Sequence, residues 1–103
     1  MLVWTLEVDP TRIDEALALA AERRGQVVRF GARALRLYEC TQGDAVAARW
    51  LAIEEFASES ALDEFVAAQT ADAEAQATIT KTFAPIGPIT ALGYEKATEF
   101  PLL

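Results

Sequence analysis

The sequence predicts an α+β domain with the element order β-α-β-β-α-β, the ferredoxin-like arrangement of a four-stranded antiparallel sheet with two helices on one face. Four segments alternate between apolar and polar residues as strands do, and two segments between them have helical spacing. Only a short turn separates the two middle strands, so they should form an antiparallel hairpin. The chain has 103 residues, of which 52% are hydrophobic, and is predicted to be one globular domain spanning residues 1–103.

The first strand is predicted at residues 2–8, where apolar residues occupy every second position: Leu2, Trp4, Leu6 and Val8. This all-apolar face favours the core as the place of Trp4. The first helix is predicted at residues 10–24, since Asp9 is a suitable N-cap and Pro10 suits the first helical position. Gly25 stands where a glycine would end that helix.

The middle hairpin is predicted from strands at 33–40 and 47–56, joined by turn residues at 41–44. If Leu35, Leu37, Leu51 and Ile53 face the helices, a second set of side chains lies on the opposite face. That set is Arg36, Tyr38, Trp50, Ala52 and Glu54. A slip of one residue would bring Arg49 and Glu55 to this face instead, so the phase of the strands stays open.

The second helix is predicted to begin after Ser58, a suitable N-cap, to break near Thr70 and to fray by Lys81. Prolines at 85 and 88 close this segment. The last strand is predicted at residues 89–97, and an apolar tail follows at 100–103.

The composition excludes several classes of function. A formal net charge of -7 is unfavourable for nucleic-acid binding, which depends on neutralising phosphates. No stretch has the length or apolarity of a signal peptide or a membrane span, so we expect a cytoplasmic protein without membrane contact. Histidine and asparagine are absent and there is one cysteine, Cys40, which excludes a disulfide within the chain, Ser-His-Asp triads and histidine-held zinc or haem. Neighbouring acids diverge on strands and helices, so we predict no metal site and no cofactor.

The face assigned to Trp50 and Glu54 is too apolar for open water and too polar for a dry core. The simplest cover is a second copy of the chain, since two-fold homodimers are the commonest oligomers. Two such sheets facing each other would form a barrel-like dimer with a semi-polar cavity in each half. The tail at 100–103 would either reach onto the partner or fold back over its own sheet, and both alternatives stay open.

The segment 51–65, LAIEEFASESALDEF, resembles the small domains related to antibiotic-biosynthesis monooxygenases, within the dimeric α/β-barrel superfamily. Members have a strand ending in Glu-x-aromatic, which Glu54 and Phe56 match, followed by an acidic-Ala-Leu helix start. The ending Leu92-Gly93-Tyr94-Glu95 also resembles the approach to the family's last strand. The resemblance implies a homodimer and a cofactor-independent oxygenase reaction on a small aromatic or phenolic substrate. The chain has Phe65 and approximately Thr70 where members often carry histidines.

If the cavity is catalytic, Arg36 is predicted to stabilise the substrate oxyanion and Glu54 to take the proton. Tyr38, Trp50 and Tyr94 are the predicted substrate-binding residues. Each candidate also has a structural interpretation. Trp50 would pack at the dimer seam, Tyr38 would be a buried ring bonded to a backbone carbonyl, and Arg36 with Glu54 would form an ion pair.

Three classes of function follow from the sequence. They are an oxygenase-like enzyme, a non-catalytic homodimer that binds a small apolar or phenolic ligand, and a dimerisation module. Fold alone does not choose among them. A cavity of about 300 Å³ or more would favour the first two.

Overall fold

The computed structural model of the protein describes residues 1–40, 48–84 and 86–101. The elements in chain order are β1 (Leu2–Val8), α1 (Ile13–Arg29), β2 (Ala34–Cys40), β3 (Ala48–Glu55), α2 (Glu59–Ala71), α3 (Ala73–Thr82) and β4 (Ile89–Lys96). The predicted turn at 41–44, the proline at 85 and the last two residues of the tail lie outside the described residues.

The four strands form one antiparallel sheet in the order β2-β3-β1-β4. This order confirms the predicted α+β class and is that of a ferredoxin-like fold. The ladder between β1 and β4 shifts register between Thr5 and Leu6, so the two strands pair with a bulge there. The two central strands, β1 and β3, carry the side chains on which the helices pack.

The helices pack on one face of the sheet through two apolar clusters. In the first cluster, Ala16 and Leu19 of α1 contact Leu6 of β1 and Trp50 of β3. The second cluster joins α1, α2 and the start of β1 and contains Leu2, Val27, Ala32, Leu62 and Phe65. Alternate residues of β1 therefore point under the helices, as the period of two predicted.

Helix α1 begins later and ends later than predicted. Asp9 accepts hydrogen bonds from the backbone N–H and hydroxyl of Thr11, so it caps a turn and the helix begins three residues later than Pro10. Gly25 lies inside the helix, which continues to Arg29 because Val27, in the next turn, is fully buried. The chain leaves the helix through Gly31, whose φ of 116° favours glycine.

The second helical segment consists of two helices. Asp72 ends α2 and is the N-cap of α3, where its side chain accepts a hydrogen bond from the N–H of Ala75 (2.9 Å). The break falls two residues after the predicted position at Thr70, whose hydroxyl bonds back to the carbonyl of Val66 inside the helix. Ser58 caps α2 as predicted, accepting from the N–H of Ala61.

Candidate functional site

The phase of β3 is the main difference between the predicted and the observed sheet. Leu35 lies opposite Glu54 and Leu37 opposite Ala52, and residues opposite each other in an antiparallel ladder share a face. The interpretation that set Trp50, Ala52 and Glu54 on the face away from the helices is therefore wrong. All three are buried under the helices. The observed phase is the alternative one, shifted by one residue, in which Arg49 and Glu55 lie on the face away from the helices.

The physical reason for this error lies in the composition of β3. Both of its faces carry apolar residues, Trp50 and Ala52 on one and Leu51 and Ile53 on the other, so alternation fixes the period but leaves the phase undetermined. Trp50 is 4% exposed, whereas Leu51 and Ile53 are only half-buried. Trp50, the largest of these side chains, lies on the face that the helices cover. Glu54 is four residues further along the strand, so its carboxyl is buried on the same face.

A cavity of about 670 Å³ lies between this face of the sheet and the helices. Its sheet side includes Trp4, Leu35, Trp50 and Glu54, and its helix side includes residues of all three helices. The lining is mostly apolar and aromatic, with a small number of charged and amide groups. This size and composition are typical of pockets that bind small organic molecules.

Glu54 is the buried acid of the cavity. Glu54 is only 4% exposed, and its Oε2 atom has no hydrogen-bond partner among the residues that the structure describes. Burial raises the pKa of Glu54 to about 7, and the positive charge of Arg23 opposes part of that rise. At neutral pH the carboxyl therefore exists in both protonation states, which suits a group that exchanges a proton with a ligand.

Arg23 of α1 is held in the cavity by amide side chains. Its Nη1 donates to Oε1 of Gln26 (2.6 Å) and its Nη2 donates to Oε1 of Gln69 (2.5 Å). Gln26 in turn donates to the hydroxyl of Thr78 on α3 (3.1 Å). Burial lowers the pKa of Arg23 and the charge of Glu54 raises it, but a guanidinium stays protonated at neutral pH. The cavity thus contains a fixed positive charge near a titrating carboxyl.

Trp4 contributes the aromatic part of the wall. Its ring stacks on Phe83 (centroids 5.8 Å apart) and lies at a tilt against Tyr94 (4.8 Å). Its Nε1 atom is buried and, like Oε2 of Glu54, has no hydrogen-bond partner in the described part of the chain. Trp4 is half-buried and lines the cavity, so it belongs to the site as well as to the core where the sequence placed it.

The structure does not bring the five sequence-predicted site residues together. Glu54 and Trp50 line the cavity, but Arg36 points to the outer face of the sheet, where it pairs with Glu55 (3.0 Å). Arg36 and Tyr38 also contribute to the lining of the cavity, from the edge strand β2.

The two tyrosines that were predicted to bind substrate are more exposed than a buried site requires. Tyr38 is 46% exposed on the outer face, so it is not the buried ring that its structural interpretation required. Tyr94 lies against Trp4 but is 64% exposed and outside the lining. The predicted ion pair between Arg36 and Glu54 is wrong for the same reason of phase, because these side chains lie on opposite faces.

Sequence reasoning missed Arg23, Gln26 and Gln69 as site residues. A signal was present in α1, because Arg23 follows the buried positions Ala16 and Leu19 at helical spacing and precedes Val27 by four residues. An arginine on the apolar stripe of a helix indicates a buried polar partner. Glu54 supplies the opposite charge for Arg23.

Other kinds of site find no support in the part of the chain that the structure describes. No group of three or more His, Cys, Asp or Glu side chains there is placed to hold a metal ion. No helix of the described ranges has the length and apolarity needed to cross a membrane. The cavity around Glu54 is therefore the candidate functional site.

Comparison with known proteins gives a likeness of fold. No family model matches the sequence, and no curated protein does. The chain is similar to the crystal structure of At3g17210 from Arabidopsis thaliana, with a TM-score of 0.58 and 14% sequence identity, over 99% of this chain and 100% of that chain. At this identity the similarity shows that the two chains share a fold.

Proposed function

We propose that the protein binds a small phenolic aromatic compound in the cavity and that Glu54 takes the proton of its hydroxyl group. The observation that carries this proposal is the carboxyl of Glu54, which has a pKa of about 7, is buried in a mostly apolar cavity of about 670 Å³ and has an Oε2 atom without a hydrogen-bond partner among the described residues. Aromatic walls favour a planar ligand, and the carboxylate accepts a hydrogen bond from a hydroxyl.

Arg23 would take the role that the sequence analysis gave to Arg36. A phenol has a pKa of about 10, so its anion needs stabilisation to form beside a carboxyl of lower pKa. A guanidinium fixed by Gln26 and Gln69 supplies a preorganised positive charge in a site of low dielectric. The pair of Glu54 and Arg23 can thus remove the proton and hold the resulting phenolate.

The proposed reaction is the cofactor-independent oxygenation that the family resemblance implies. The phenolate would react with dioxygen. One oxygen atom of the dioxygen is retained on the ring, and the other leaves as water together with two hydrogen atoms of the substrate, which gives a quinone. Substrate and dioxygen supply all atoms and electrons of this reaction. The fold likeness is neutral on this step, so the proposal depends on the contents of the cavity.

The test is oxygen uptake with a panel of hydroquinones and naphthols. Uptake should rise with pH through about pH 7, as Glu54 ionises, and Glu54→Gln should lower it by about 100-fold or more. Glu55→Gln is the matched control, because it removes the same charge from the outer face of the sheet. Ligand binding without oxygen uptake in the wild type would instead indicate a non-catalytic binding protein, and equal uptake in Glu54→Gln would contradict the role of Glu54.

We further propose that the protein is a homodimer that pairs through the outer face of the sheet. Val3, Leu51 and Ile53 on this face are half-buried and Tyr38 is half-exposed, and no helix of the described residues packs on it. The face also carries charges of both signs, which a two-fold interface can pair with each other: Glu7, Arg36, Arg49, Glu55 and Glu95.

Oligomeric state tests this pairing. Sedimentation at micromolar concentration should give twice the mass of the chain, and Ile53→Lys should give the single-chain mass with an unchanged circular dichroism spectrum. Val66→Lys is the control, since it places the same charge on an exposed position of α2. A single-chain mass for the wild type would contradict the proposal.

We propose the cytoplasm as the compartment of this activity, because a chain with one cysteine has no disulfide that an oxidising compartment would have to form. Cell fractionation with an antibody against the protein would test this location.

A further inference from the structure

Two buried polar atoms of the cavity lack hydrogen-bond partners within residues 1–40, 48–84 and 86–101, namely Nε1 of Trp4 and Oε2 of Glu54. Buried polar groups in proteins are almost always paired, so an unpaired one calls for a specific explanation. Both residues line the same cavity. The two atoms are also of opposite type, because an indole N–H only donates and an ionised carboxylate only accepts.

The sheet fixes how Trp4 and Glu54 are placed relative to each other. Trp4 lies opposite Ala52 on the ladder between β1 and β3, and Glu54 is two residues further along β3. The two are therefore diagonal neighbours on one face, a relation that sets Cα atoms about 7–8 Å apart. One molecule of one or two rings is long enough to contact both side chains.

We propose, on the basis of the proposed function, that Trp4 is a specificity-determining residue and that the ligand is an aromatic compound with a carbonyl group as well as a hydroxyl. The carbonyl oxygen accepts a hydrogen bond from Nε1 of Trp4 while the hydroxyl donates to Glu54. A ligand with both groups satisfies both unpartnered atoms at once. A phenol without the carbonyl satisfies only one.

The two aromatic neighbours of the Trp4 ring differ in exposure. Phe83 and Tyr94 both lie against the Trp4 ring, and Tyr94 is 64% exposed on the edge strand β4. An exposed ring can turn away without opening the apolar core, whereas Phe83 packs against that core. Of these two rings, Tyr94 is therefore the one that a ligand bound beside Trp4 can displace at the lower cost.

The test compares three probes by isothermal titration calorimetry. One is an acetylnaphthol with its hydroxyl and acetyl groups on opposite rings, the second is naphthol, and the third is acetylnaphthalene. In the wild type the acetylnaphthol should bind about fivefold or more tightly than naphthol, as expected for one additional hydrogen bond. Trp4→Phe should abolish this gain from the acetyl group and leave naphthol binding within about twofold, because the ring is kept and only the N–H is lost.

Trp50→Phe is the control, since it removes the indole of the other cavity tryptophan and should preserve the gain. In nitrogen–proton spectra of the wild type, the indole signal that Trp4→Phe removes should shift with both acetylated probes and less with naphthol. If the gain persists in Trp4→Phe, or is absent from the wild type while naphthol binds, the role of Trp4 is wrong and the proposed function stands. If none of the three probes binds, both proposals are wrong.

Discussion

Glu54 should make the stability of this protein depend on pH in a way that Glu54→Gln abolishes. The pKa of Glu54 is about 7 in the folded chain, against 4.5 for an ordinary glutamate, because burial disfavours the charged form. Between these two values the folded state holds a proton that the unfolded state has lost, so the free energy of unfolding falls as pH rises. Below pH 4.5 the carboxyl is protonated in both states, and above about pH 7 it is ionised in both, so its contribution is constant there.

The size of this effect follows from the difference in pKa. At 1.36 kcal/mol for each pKa unit, a change from 4.5 to about 7 corresponds to a loss of about 3 kcal/mol in the free energy of unfolding. With a urea dependence of about 1.5 kcal/mol per molar, the midpoint should fall by about 2 M across this pH range. Glutamine has the shape of glutamate and does not ionise, so Glu54→Gln removes this part of the slope.

The assay is urea unfolding followed by circular dichroism at half-unit pH steps, for wild type, Glu54→Gln and Glu55→Gln. Other groups titrate in all three proteins, so the difference between wild type and Glu54→Gln isolates residue 54. That difference should grow by about 3 kcal/mol in favour of Glu54→Gln from pH 4.5 to pH 7. Glu55→Gln is the reference for removing a carboxyl from the outer face of the sheet. Parallel curves for wild type and Glu54→Gln would refute the burial of an ionisable carboxyl in the cavity.

Three other substitutions test the surrounding structure. Arg23→Met removes the positive charge that lowers the pKa of Glu54, so the carboxyl titration followed by carbon NMR should move to higher pH; an unchanged titration would contradict the coupling. Phe65→Ala empties a fully buried position beside Phe56 and should cost about 3–5 kcal/mol in urea unfolding, and a loss below about 1 kcal/mol would contradict this packing. Asp72→Ala removes the N-cap of α3 and should cost about 1 kcal/mol, whereas Asp72→Asn, which keeps an accepting oxygen, should cost less.

The fold could be predicted from local patterns because each pattern reports on a few neighbouring residues. Alternation in residues 2–8 predicted β1, whose bounds are Leu2–Val8, and the order of segments predicted the antiparallel sheet. The helix ends were less predictable. Gly25 is compatible with a helix end, but the burial of Val27 beyond it decides that α1 continues.

The candidate site could be predicted only in part. The sequence assigned Glu54 and Trp50 to a cavity between two subunits, and the structure places both in a cavity under the helices of one chain. The sequence could not choose the arginine, because Arg23 and Arg36 are both plausible until the phase of β3 is known. In the observed phase of β3, Glu54 lies under the helices and Arg36 lies on the opposite face, where it pairs with Glu55. The arginine that interacts with Glu54 is therefore Arg23 of α1.

The sequence by itself determined the elements, their order and the absence of histidine chemistry, since periodicity, turn residues and composition are properties of the chain alone. The tertiary structure decided which face of β3 is covered and where the cavity lies, between sheet and helices rather than between two sheets. The physical reason is that burial is a property of neighbours. A strand with apolar residues on both faces has no preferred side until helices pack on one of them, and that packing determined the surroundings of Glu54.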